Sequence, residues 1–97
     1  MTTKSILKNN QKGVCFICRK ITQTENHHIF GGAYRKKADR DGLTVFLCHY
    51  CHNEPPNGVH FNKDRNTRLK QIGQSAWMRF YGKTTDDFIK HYGRNYL

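Results

Sequence analysis

Acidic residues are scarce. Seven Asp plus Glu stand against 17 Lys plus Arg, a formal charge of +10 on 97 residues. Such an excess on so short a chain favours a polyanionic partner, most simply nucleic acid, over solubility alone or an acidic protein partner. Long apolar runs are missing too. No stretch of about 18 apolar residues occurs, so no membrane span is expected. The first 13 residues are polar and basic and lack an apolar signal core, so a cytoplasmic chain is expected. Hydrophobic residues make up only 36%. At this length that implies a single domain, 1–97, because two would each fall below the size that buries a core unaided. Aromatics at 12% nevertheless argue against a disordered basic tail.

Lys and Arg are absent from residues 43–62. Before the first acidic residue, Glu25, come Lys4, Lys8, Lys12, Arg19 and Lys20. A second cluster holds Arg35, Lys36, Lys37 and Arg40, diluted by Asp39 and Asp41. Residues 63–97 carry Lys63, Arg65, Arg68, Lys70, Arg79, Lys83, Lys90 and Arg94 against three Asp. Basic segments flanking a neutral centre suggest a binding surface; a merely solvated face is the alternative.

All four cysteines fall in two CxxC pairs, Cys15/Cys18 and Cys48/Cys51. Two residues between thiolates let both sulfurs of one turn reach one ion, and two such turns complete a tetrahedral Zn²⁺ site. Disulfides are disfavoured without an export signal. A redox pair needs no second copy and would accompany a thioredoxin-like βαβ pattern, which is missing. A closed four-thiolate zinc would be scaffolding, contributing directly to folding where the core is small.

The remaining pattern predicts an α+β chain. Residues 1–12 read as a frayed or loosely docked basic arm, 13–62 as a zinc-stabilised core and 63–97 as helices. Short strands are expected at 21–22, at 26–30 and at 43–47, where Leu43, Val45 and Leu47 share a face. Gly31-Gly32 opens a basic loop through Arg40, and Asp41-Gly42 marks a turn. A helical turn is expected from Cys48 to about Asn53, then a Pro55-Pro56-Asn57-Gly58 loop. A long helix starts at Asn62 or Asp64, buries Leu69, Ile72, Ala76, Trp77, Phe80 and Tyr81, and stops at Gly82. Thr85 caps a last helix burying Phe88, Ile89 and Tyr92.

Six histidines complete the inventory. His27-His28 lies in a strand, His52 follows the second CxxC directly, and His60 comes after a short loop. If four cysteines hold zinc, these imidazoles are free for a second metal or for acid–base work. His49 reads as an exposed spacer and His91 as a surface helix residue. Arg35, Lys36 and Lys37, with Arg65 and Arg68, are the candidate phosphate contacts.

Glu25-Asn26-His27-His28-Ile29, the Gly42-Leu43 strand start and Leu47-Cys48-His49-Tyr50-Cys51-His52 resemble the HNH nuclease superfamily. The Cys15/Cys18 pair is similar to its zinc-bearing branch. Residues 13–62, with Gly58-Val59-His60 and the closing Tyr92 to Tyr96, look like small phage and prophage HNH proteins. The resemblance implies a ββα-metal fold and a metal-dependent DNA endonuclease. It further implies His28 as general base, His27, His52 and His60 as ligands of a divalent ion such as Mg²⁺ or Mn²⁺, and 5′-phosphate and 3′-hydroxyl products. It suggests action in a host cell beside a phage or host DNA-processing protein. The family usually places an Asn just before its second strand, bracing the loop behind the base; here Asp41, Asn53 or Asn57 would serve. A non-catalytic zinc-ribbon module that binds nucleic acid is the competing reading; a nuclease toxin with an immunity partner is weaker, because no delivery domain is visible.

Overall fold

Strands β1 (Glu25–His28) and β2 (Thr44–Leu47) pair antiparallel in the computed structural model, which describes residues 4–97. The register sets His27 opposite Val45 and His28 opposite Thr44. Between the strands lie a 3₁₀ turn (Gly32–Tyr34) and helix α1 (Arg35–Asp41). After β2 come α2 (His49–Asn53), α3 (Lys63–Tyr81) and α4 (Thr85–Tyr92). The result is a small α+β fold. No helix among the described residues is long and apolar enough to cross a membrane.

Alternation works for β2: Leu43, Val45 and Leu47 are all fully buried. The expected basic loop before it is instead largely α1. Its residues include Arg, Lys and Ala, good helix formers, with no Gly, Pro or β-branched residue among them. Ala38 is buried, and Gly42 ends the helix in the left-handed region at φ 79°. The Asp41-Gly42 turn is thus a helix C-cap.

The N-terminal arm is also more ordered than expected, from Lys4 onward; Met1 to Thr3 lie outside the described residues. Ser5 Oγ and Asn10 Nδ2 donate to Thr44 O, and Asn10 Oδ1 accepts from Phe46 N at 2.8 Å. The arm thereby occupies backbone groups of β2, and Leu7 is buried in the core. At Ile21 there is only an isolated bridge to Val14 rather than a strand, and the Ile21 side chain is exposed.

Helix α3 starts where expected, with the Asn62 side chain accepting from Arg65 N. Its buried face is Leu69, Gly73, Gln74 and Trp77. Phe80 and Tyr81 are exposed, contrary to expectation. Helical periodicity places them near the apolar face, but the core ends below the last turn. Thr84, one residue earlier than predicted, caps α4 in a reciprocal box with Asp87. Phe88 and Tyr92, four apart, turn inward, whereas Ile89, one position round the helix, is 38% exposed.

Candidate metal centres

The two CxxC pairs converge. Cys15 begins a tight turn in which Cys15 O accepts from Arg19 N. Cys48 caps α2, its sulfur accepting from Cys51 N. Phe16 N donates to Phe46 O, tying the first turn to β2 just ahead of the second. One sulfur from each of Cys15, Cys18, Cys48 and Cys51 lies within 4.8 Å of every other. Thiolates bound to one zinc at about 2.3 Å stand about 3.8 Å apart; the Cys18 and Cys48 sulfurs are 3.8 Å apart. All four are free of disulfides. Burial raises the Cys15 thiol, but backbone N–H donors, Cys18 first, outweigh it and bring it down to about 6. Burial pushes Cys48 and Cys51 up. The four-cysteine cluster is compatible with a metal such as zinc, whose charge would draw off the remaining thiol protons.

A second cluster is made of imidazoles. β1 supplies His27, α2 supplies His52, and the turn after α2 supplies His60. That turn folds back tightly: Val59 N donates to Cys51 O and His60 N to His52 O. Gly58 is required there, since a Cβ would stand 2.7 Å from Glu54 N. One ring nitrogen from each histidine lies within 4.8 Å of the others, and the His52 and His60 Nε2 atoms are 3.0 Å apart. His27 Nε2 is buried with no hydrogen-bond partner, an arrangement that a metal ion would satisfy. Burial, then the His52 and His60 charges, brings His27 down to about 3. Burial, then His52, lowers His60. Both shifts favour the neutral imidazole that ligates metal.

Glu25 stands behind this cluster. Two residues before His27, it shares that strand face, and its carboxylate sits 2.8 Å from His52 Nδ1. A carboxylate only accepts, so His52 Nδ1 carries the proton and Nε2 keeps its lone pair for a ligand. Asn53 Nδ2 also donates to Glu25. Hydrogen bonds from His52, then His49, hold the Glu25 carboxyl below its ordinary value. His49 is exposed, as expected, and is raised chiefly by the Glu25 hydrogen bond.

His28 stands outside the trio. Its Nε2 meets Asp39 Oδ1 at 3.0 Å, a contact made by α1. The three residues that the resemblance offers for bracing the loop behind His28 are engaged elsewhere. Asp41 accepts from Trp77, His91 and Tyr92, Asn53 serves Glu25, and Asn57 donates to Tyr50 OH. Glu25 and Asp39 are therefore the site residues to which the sequence reading gave no role. The two-residue period of β1 points to Glu25; a loop reading of residues 31–40 conceals Asp39. His91 is more than a surface residue, since it stacks on Trp77 and reaches Asp41.

Among the predicted phosphate contacts, Arg35, Lys36 and Arg68 are exposed and Arg65 is half-buried. Lys37 donates to His91 O at 2.7 Å, which joins α1 to the end of α4. Among the described residues no Lys or Arg pairs with a carboxylate; every ion pair is made by a histidine. Comparison with family models, curated proteins and solved structures finds no match.

Proposed function

We propose that the chain is a metal-dependent HNH-type (ββα-metal) endonuclease that cuts or nicks DNA. The observation that carries this reading is the meeting of His27, His52 and His60 around an unpartnered His27 Nε2, one residue from a His28 braced by Asp39. Three imidazoles suit a divalent transition ion such as Mn²⁺ or Zn²⁺ better than Mg²⁺, which prefers oxygen. Bound there, the ion would stabilise charge on the phosphate and on the leaving oxygen.

The chain's own groups supply the rest. His27, His52 and His60 hold the ion, and Glu25 fixes the His52 ring. His28 directs Nε2–H at Asp39, so its free lone pair is on Nδ1 and takes the proton of the attacking water. The four cysteines hold a structural zinc that steadies the turn carrying His52. Unpaired cations, Arg35, Lys36, Arg65 and Arg68 among them, grip backbone phosphates, so binding weakens steeply with salt.

Plasmid nicking with Mn²⁺ or Mg²⁺, wild type against His28→Ala, tests the proposal. Loss of nicking with retained DNA binding supports it; equal nicking by both proteins removes His28 as the base. A protein that holds one zinc, binds no second divalent ion and does not nick is a non-catalytic zinc-ribbon module.

A further inference from the structure

The residues after α4 are fastened back onto α3. Tyr96 N donates to Gln74 Oε1 at 2.8 Å, and Gln71 Nε2 donates to Tyr96 O at 3.0 Å. Gln74 Nε2 donates to Asn95 Oδ1 at 2.8 Å. Gln74 is fully buried, so an interior amide is committed to holding this segment. The Tyr96 ring lies 5.5 Å from that of Phe30, two residues beyond His28.

Two cations lie against that ring. Lys70 Nζ is 5.4 Å and Arg94 Cζ 4.9 Å from its centroid. Among the described residues neither has a carboxylate partner. Both charges are therefore available to an anion. Gln71, which holds Tyr96, also lines a groove with Lys63, Asp64, Arg65 and Arg68.

We propose that Lys70 and Arg94, seated on Tyr96, form a subsite for a nucleic-acid backbone phosphate neighbouring the one at the histidine centre. The position of that phosphate rests on the nuclease reading; the subsite itself rests on the two cations.

The test is binding of a short nonspecific DNA duplex, without divalent metal, across a KCl series by fluorescence anisotropy. The slope of log affinity against log salt falls by about 0.9 for each phosphate the protein no longer neutralises. The double variant Lys70→Gln/Arg94→Gln therefore drops about 0.9 from the slope, while Lys70→Arg keeps it. An unchanged slope in the double variant, with zinc content and unfolding midpoint intact, overturns the subsite even if the protein nicks DNA. A reduced slope in a protein that does not nick keeps the subsite and removes the nuclease reading.

Discussion

His28 Nε2 and Asp39 Oδ1 lie 3.0 Å apart, joining β1 to α1. The contact sets the tautomer of His28 and the direction of its other nitrogen. Under the nuclease reading, His28→Ala lowers the nicking rate by about 10²–10⁴-fold. Asp39→Ala costs a smaller factor, roughly 10-fold or more, by freeing the ring. The loss falls on kcat, with DNA affinity and the metal concentration for half-maximal rate unchanged. A loss confined to KM would remove Asp39 from this positioning role.

Under the metal-site reading, Glu25 acts one step behind the ion. Glu25→Gln weakens divalent-ion binding by roughly 10–100-fold, as loss of an outer partner to a ligating histidine does. Titrating nicking against Mn²⁺ shows the midpoint moving up, with the rate recovered at saturating metal. An unmoved midpoint would contradict the coupling from Glu25 to His52.

Asp41 is a structural hub. Its Oδ2 accepts from Trp77 Nε1, His91 Nε2 and Tyr92 OH. Burial, then Asp41, pushes the Tyr92 phenol above its ordinary value, so it stays a donor. Asp41→Ala leaves these donors without their acceptor and costs roughly 2–5 kcal/mol. Urea unfolding of the zinc-loaded protein measures the loss. A change below about 0.5 kcal/mol, the scale of ordinary surface substitutions, would deny the hub.

The α4 cap predicts a pH dependence. Hydrogen bonds from the Thr84 backbone N–H, then the Thr84 hydroxyl, hold the Asp87 carboxyl below its usual value. The lowered folded value means that this stabilisation is present above the ordinary Asp value of about 3.9 and is lost as pH falls through the folded one. Asp87→Asn is therefore less stable than wild type near neutrality, and the gap between their urea midpoints narrows toward pH 3. A constant gap would show that the charge on Asp87 does not matter.

Much of this architecture was legible because it rests on spacing and periodicity. Two CxxC pairs mark their own cluster, alternation in 43–47 reads directly as a strand, and Gly82 ends a helix as only glycine does cheaply. The His27, His52 and His60 grouping was suggested by a family motif, and the structure brings the three together. Other features depended on packing. The run Arg35–Asp41 looks like a loop because its charges hide a single inward Ala38. Gly73 and Gln74 enter the core because α3 and the chain end close over them, which no apolar count anticipates.

Alone, then, the sequence determined the charge, the four-cysteine set, the strands at 26–30 and 43–47 with the helices that follow them, and the candidate imidazoles. Each depends on residue type and on separations of a few positions. Only the tertiary structure decided that Asp39 rather than Asp41 meets His28, that Glu25 sets the His52 tautomer, and that Lys70 and Arg94 share one ring. Most of these partners are 11 to 27 residues apart, and chain folding, not local preference, brings such groups within hydrogen-bonding or ring-contact distance.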